Sequence, residues 1–161
     1  MPLRIAAKVP RGERGYFKER LEPQIDGEQI RLTGEVNDQA KEKFLAGASA
    51  LLFPIDWPEP FGLVMIEAMA CGTPVIAFRS GSVSEVVDDG VTGFVVDGEA
   101  EAVQAIRRLD ELDRRRVRAR FEQRFTARRM AEEYSRHYEM LVGTGPTSLS
   151  RSLAPTAVPQ E

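Results

Sequence analysis

The residues best placed to do chemistry in this sequence are two glutamates, Glu59 and Glu67, with Gly62 between them. Glu59 stands between Pro58 and Pro60. Pro60 biases Glu59 towards an extended backbone, and the two rings stiffen the loop. A carboxylate so held can accept hydrogen bonds from sugar hydroxyls at little ordering cost. Gly62 stands where an apolar helix would open. The first turn of a helix offers unpaired backbone N–H groups and the positive end of a dipole, an anion site worth about 0.3–1 kcal/mol from the dipole alone. With no side chain at Gly62, a phosphate can approach that backbone closely. Glu67 lies within residues 63–70, which are otherwise uncharged. A carboxylate there is costly to bury without partners. A ribose diol, presenting two donors, would suit it. No Lys or Arg occurs between Leu51 and Phe78, so side-chain cations for an anion here must come from elsewhere.

Each residue also has a plainer reading. Glu59 could be an exposed loop acid. Glu67 could emerge at a helix edge and pair with a neighbouring arginine. Gly62 could serve close packing alone. Trp57 could stack on a ligand, brace the loop or meet a further domain. Cys71 is the only cysteine and has no histidine near it in sequence. It reads as a small buried hydrophobe rather than a nucleophile. A single cysteine also excludes an internal disulfide and a cysteine-cluster metal site. The only histidine, His137, reads as a surface residue, which leaves a Ser/His/Asp triad without support.

The elements that must hold these residues alternate between strand and helix. Residues 3–7, 30–34, 50–54, 74–78 and 93–97 read as strands, and 50–54 (ALLFP) is continuously apolar, as in a strand buried on both faces. Helices are predicted at 16–23, which Pro23 helps to end, at 37–48 with Asn37 or Asp38 as N-cap, at 61–72 with Gly72 as the capping glycine, and around 84–87. Such spacing implies βαβ units, a mostly parallel sheet and a doubly wound α/β layer structure, with ligands beyond the carboxyl ends of the strands. After residue 98 the chain becomes helical and charged, and Thr126 caps a last helix at 127–142 with an apolar face of Met130, Tyr134, Tyr138 and Leu141. We expect one domain over 1–142. Residues 143–161 are small, polar and proline-rich and are expected to be disordered.

Composition narrows the class further. The chain has 161 residues, 42% hydrophobic and 29% charged, with a net charge of -3. That is ordinary for a globular domain and gives no general argument for nucleic acid. No apolar run is long enough to span a membrane, and the N-terminus lacks the apolar stretch of a signal peptide, so the cytoplasm is the default compartment. Between Arg107 and Arg129 stand ten arginines and four acids, Asp110, Glu111, Asp113 and Glu122. The simpler reading is a solvated face with pairs such as Asp110–Arg114 and Glu111–Arg115. The alternative is attraction to anionic lipid at the inner membrane surface, a peripheral contact suited to an enzyme of lipid-linked sugars.

With these residues in view, EPFGLVMIE (59–67) followed by AMACGTPVIA (68–77) resembles the paired-glutamate region of family-four retaining glycosyltransferases of the GT-B fold. GSVSEVVDDGVTGFVVD (81–97) and FTARRMAEEYSRHYEMLV (125–142) resemble the segment that follows and the closing helix of the same family. The resemblance covers roughly residues 3–142 and implies a Rossmann-like sheet, the C-terminal half of a GT-B enzyme. It implies that Glu59 contacts the transferred sugar nearest the reacting centre. It gives the backbone of Phe61, Gly62 and Leu63 to the donor diphosphate, Glu67 to the ribose hydroxyls and the backbone around Val36 to the base. The implied donor is a nucleotide diphospho-sugar carrying UDP or GDP. The implied transfer retains anomeric configuration and uses neither metal nor cofactor, and the acceptor is a saccharide or a lipid-linked sugar.

Two departures qualify that picture. No segment of the family's G-R-…-K-G form, whose Arg and Lys neutralise the diphosphate, precedes Leu3, and Lys8 is not an obvious substitute. The half that binds the acceptor is also expected to be absent. The sheet would then lack its first, central strand, leaving the flanking strands to close up or another chain to fill the gap. A further departure is Ser82 and Ser84, where the family often has Gly and Pro. The expected function is therefore a glycosyltransferase domain inactive in isolation; the alternative is a non-catalytic remnant or nucleotide-sugar-binding module.

Overall fold

The computed structural model describes residues 1–143. The expectation of disorder for the tail falls, apart from Gly143, outside the described residues. Five short parallel strands form: β1 (Leu3–Ile5), β2 (Ile30–Leu32), β3 (Leu51–Phe53), β4 (Val75–Phe78) and β5 (Gly93–Val96). They do not make one sheet. β1 pairs only with β2, and β3, β4 and β5 pair in that order. These are the neighbour relations of a doubly wound sheet, in which the chain winds outward from the middle first one way and then the other. Among the described residues no strand takes the middle place between β1 and β3. The two strands do not close up on one another.

The core belongs to the three-stranded sheet. β4 and β5 point alternate residues to two faces, as pleating requires. Val75, Ala77 and Val95 pack under α3 (Leu63–Ala70), α4 (Val83–Val86) and α6 (Arg114–Arg124), with Met65, Met69, Val83 and Val117 fully buried. Ile76, Phe94 and Val96 face α5 (Glu99–Arg107) and Leu112. Helices therefore cover both faces, which explains the unbroken apolar runs of PVIAF and GFVVD. At Gly93 a Cβ would collide with the backbone of Val75.

The N-terminal unit is different in kind. No residue before Leu45 is fully buried. The predicted helix at 16–23 is instead a mixed run. A single turn of α1 (Arg14–Tyr16) lies between 3-10 turns, and a π turn spans Phe17–Leu21. Pro23 falls in the last 3-10 turn, as its missing N–H and fixed φ favour. The run encloses, with Ile5, Val9 and Leu32, an apolar cavity of about 130 Å³.

Helix α2 (Asp38–Ala46) is capped by the Asn37 side chain, which accepts from the Ala40 N–H at 2.9 Å. Thr126 caps α7 (Ala127–Val142) in the same way through Arg129. Cys71 rather than Gly72 is the C-cap of α3, and Gly72 follows it with a left-handed φ of 68°. The exposed face of α7 carries Met130, Tyr134, Tyr138 and Leu141.

The arginines of α6 are not a solvated face. Arg114 donates to the carbonyls of Ala46 and Ala48 at the end of α2 and to the Thr73 hydroxyl. Arg118 donates to the Ala70 carbonyl at the end of α3. Arg120 and Arg124 both bind Asp88, at 2.6 and 2.7 Å. Each satisfies acceptors that a helix end or loop would otherwise leave open. The pairs predicted by spacing do not form: Glu111 binds Arg108, which also stacks on Phe94, and Arg114 is committed elsewhere. Arg128 and Arg129 pair with Glu132 and Glu133. Seven of the ten arginines (108, 114, 118, 120, 124, 128 and 129) are thus engaged within the chain.

Candidate functional site

The site grows from the end of β3. The chain leaves Phe53 through Pro54 and Ile55, which is buried, and enters the Asp56–Pro60 loop. α3 then starts after Gly62, whose φ is 73°. A side chain at 62 would be strained by that φ. Its Cβ would also approach Met65 Cε to 2.6 Å and Phe53 Cε1 to 3.3 Å. The left-handed backbone therefore favours glycine here, whatever else the bare residue serves.

Glu59 lies against this helix start. One carboxylate oxygen, Oε1, accepts from the Gly62 N–H at 3.1 Å and the Phe61 N–H at 3.5 Å. The other accepts from the Trp57 indole N–H at 3.1 Å. The loop acid is thus an anion seated on the two amides just before α3, half-buried, and Trp57 braces it. The carboxylate occupies two of the three backbone amides, those of Phe61 and Gly62, that the family resemblance gave to the diphosphate.

The loop after β4 clamps Glu59 from behind. Ser82 N–H donates to the Glu59 carbonyl at 2.9 Å, and the Ser80 hydroxyl donates to the Trp57 carbonyl at 2.6 Å. Gly81 has a φ of 51°, and a Cβ there would run into the Glu59 backbone. The close approach that Gly81 permits is therefore to this loop. The Ser82 hydroxyl is buried with no hydrogen-bond partner among the described residues.

Glu67 is not a buried, unpartnered acid. It sits on the second turn of α3 with its side chain 36% exposed, and its Oε1 receives the Lys41 ammonium at 2.7 Å. The partner is a lysine from α2 rather than a neighbouring arginine. Lys41 also binds Asp38 at 3.1 Å, and its pKa is raised, first by Glu67 and then by Asp38. Val36 is half-buried in the turn just before the Asn37 cap. Phe61 and Leu63 are both exposed, and Phe61 meets Phe125 edge-on at 6.3 Å. Lys8 is paired with Glu35 at 3.4 Å.

The structure thus brings Glu59 together with Phe61 and Gly62, and ties Glu67 to α2. Trp57, Ser80, Ser82 and Lys41 complete the constellation; bracing of the loop was one of the readings open for Trp57, and sequence reasoning gave the other three no place in it. A groove of about 430 Å³ runs along β5 and α5 and shares no residue with this site. No group of three or more His, Cys, Asp or Glu that could hold a metal occurs among the described residues. The Cys71 thiol is pushed up by burial and has no place in the site. No helix among the described residues is long and apolar enough to cross a membrane.

A parallel α/β layer with a helix N-terminus at the carboxyl end of a strand defines the Rossmann-like class of phosphate-recognising domains. Residues 12–128 match the family described as glycosyl transferases group 1, and the chain belongs to that family. It is 34% identical over 137 residues to a phosphatidyl-myo-inositol mannosyltransferase of Mycobacterium leprae, covering 80% of this chain and 37% of the relative. It is 37% identical over 114 residues to a D-inositol 3-phosphate glycosyltransferase of Mycobacterium tuberculosis, covering 61% of this chain and 24% of that one. Anabaena HepE, crystallised with UDP and glucose, superposes with a TM-score of 0.73 at 26% identity over 86% of this chain and 40% of its own. The fold is that of one half of a GT-B glycosyltransferase. The chain spans well under half the length of each of these relatives.

Proposed function

We propose that this chain forms the donor half of a retaining glycosyltransferase, which moves a hexosyl group from a nucleotide diphospho-sugar to an acceptor hydroxyl. One observation carries the reading: the Glu59 carboxylate already sits as an anion on the Phe61 and Gly62 amides. A diphosphate oxygen has the same acceptor chemistry and the same reason to bind there. Donor binding then exchanges one acceptor for another. The diphosphate takes the amides of Phe61, Gly62 and Leu63, and the released Glu59 carboxylate accepts from hydroxyls of the transferred sugar, nearest the reacting centre. Glu67 accepts from the ribose diol, and the backbone around Val36 meets the base.

In the transfer, the bond from the anomeric carbon to the diphosphate oxygen breaks and the diphosphate leaves with the electron pair. The acceptor oxygen bonds to that carbon on the same face and gives its proton to the departing diphosphate oxygen. The backbone N–H groups stabilise the charge that grows on the leaving diphosphate. The reading calls for no metal and no cofactor besides the donor, a sugar carried on UDP or GDP. HepE with UDP and glucose supports a UDP-sugar. The acceptor is a saccharide or a lipid-linked sugar, and two relatives are named for inositol-based acceptors. Its place of work is the cytoplasm, at the inner membrane surface where the acceptor is lipid-linked.

The acceptor side and the cations for the diphosphate come from further polypeptide, so the chain alone transfers no sugar. Incubation with UDP- and GDP-sugars and generic acceptors, beside ligand-observed NMR with UDP, tests both parts. The expected result is nucleotide binding without product. Turnover at an ordinary enzymatic rate would overturn the need for a second half. No nucleotide binding would favour a non-catalytic remnant instead.

A further inference from the structure

Lys41, on α2, ties the first residue of that helix to the middle of α3. Its ammonium lies 2.7 Å from Glu67 Oε1 and 3.1 Å from Asp38 Oδ1. The lysine side chain is 32% exposed, and the Asp38 side chain 98%. Arg128–Glu132 and Arg129–Glu133 join neighbours on one helix, whereas Lys41 and Glu67 stand on two helices, 26 positions apart. An ion pair this exposed adds little to stability, so folding gives little reason for it. Its geometry has a sharper consequence. The ammonium takes Oε1 and fixes the carboxylate rotamer, and Oε2 has no partner among the described residues. One oxygen is anchored and one is offered. The anchored charge also offsets the repulsion that a free carboxylate would exert on an incoming diphosphate.

We propose that Lys41 is a positioning residue for the nucleotide ribose: by holding Glu67 through Oε1 it presents Oε2 to the ribose hydroxyls, and so sets the preference for ribonucleotides over 2′-deoxyribonucleotides. The proposal rests on the reading of Glu67 as the ribose acceptor. A fixed acceptor discriminates between a hydroxyl and its absence, because it is left unpaired when the hydroxyl is missing. An acceptor free to turn towards water loses less and discriminates less.

The test compares the dissociation constants of UDP and 2′-deoxy-UDP for the chain, K41M, K41Q and K41R, with thermal melts confirming that each is folded. The chain should prefer UDP by about tenfold, the worth of one charge-assisted hydrogen bond. K41M and K41Q should lose most of that preference, and K41R should keep much of it. A change in overall affinity with an unchanged ratio would assign Lys41 a merely structural role and overturn the proposal, leaving Glu67 untouched. No preference in the parent chain would instead remove the ribose role of Glu67. A parent chain that binds neither nucleotide would overturn both.

Discussion

The two sheets are built from similar short parallel strands, yet only one has a core. β4 and β5 are flanked by helices on both faces and almost fully buried, whereas β1 and β2 contain no fully buried residue. β3, at the edge of the larger sheet, is intermediate, with Leu52 39% exposed. The difference is one of coverage rather than strand propensity: LRI and IRL are as β-prone as LLF. A parallel pair with few layers around it has little apolar area to offset its ordering entropy. The proposed donor site draws on both regions. Glu59, Gly62 and Glu67 stand on the packed unit, and Val36 follows the exposed one. The sugar and phosphate end is thus preorganised, and the base end is held more loosely.

The comparison breaks most easily in the core. Met65→Ala removes a fully buried side chain between α3 and the sheet, and should cost about 2–5 kcal/mol in urea unfolding. Leu32→Ala, on a half-buried strand, should cost far less, and amides of β1 and β2 should exchange hydrogen well before those of β4 and β5. Equal losses from the two variants would mean that the units are of one kind.

A smaller effect is expected at Arg114. Its guanidinium holds the Ala46 and Ala48 carbonyls and the Thr73 hydroxyl. Arg114→Met should lower stability by about 1–3 kcal/mol, because part-buried acceptors lose their donor. Arg116→Ala, on an exposed position of the same helix, should stay within about 0.5 kcal/mol of the parent. A thermal melt of each separates the two.

The smallest effect sharpens the picture of the exposed unit. Backbone N–H groups, first of Ile30 and then of Glu28, hold the Asp26 carboxyl below its ordinary value of 3.8. A lowered folded pKa contributes stability above 3.8, and that contribution is lost as the pH falls through the folded value. Exchange of the Ile30 amide should therefore quicken as the pH drops below about 4, relative to Asp26→Asn. Identical profiles in the two proteins would remove Asp26 from the account of β2.

Much of the packed unit was legible because its strands are apolar without alternation, which only a covered parallel sheet requires. Strand ends were drawn one or two residues too long, since propensity continues where pairing stops. Of the mixed turns over 11–24, only 16–23 was legible, and only as a helix, because periodicity does not separate α from π or 3-10 turns. The site was partly legible. Pro58, Glu59, Pro60 and Gly62 are neighbours in sequence, so their shared role could be read. Lys41 and Glu67, or Arg114 and Ala48, meet only through the packing of α2, α3 and α6, and no local pattern marks them. The i,i+4 pairing of Asp110 and Arg114 failed for the same reason: a helix end elsewhere in the fold offered the arginine better acceptors.

The central claim is that Glu59 holds the place of the donor diphosphate in the free chain, while Glu67 serves the ribose. Calorimetric titration of UDP into the parent, Glu59→Ala and Glu67→Ala tests it most directly, with melts confirming that all three are folded. Parent affinity should be weak, on the order of millimolar. Glu67→Ala should weaken UDP binding by about tenfold or more, the loss of a charged acceptor. Glu59→Ala should not weaken it. With the competing carboxylate gone from the Gly62 and Phe61 amides, UDP should bind about two- to tenfold more tightly, because no internal acceptor has to be displaced. Equal losses in the two variants, or a larger loss in Glu59→Ala, would contradict the account.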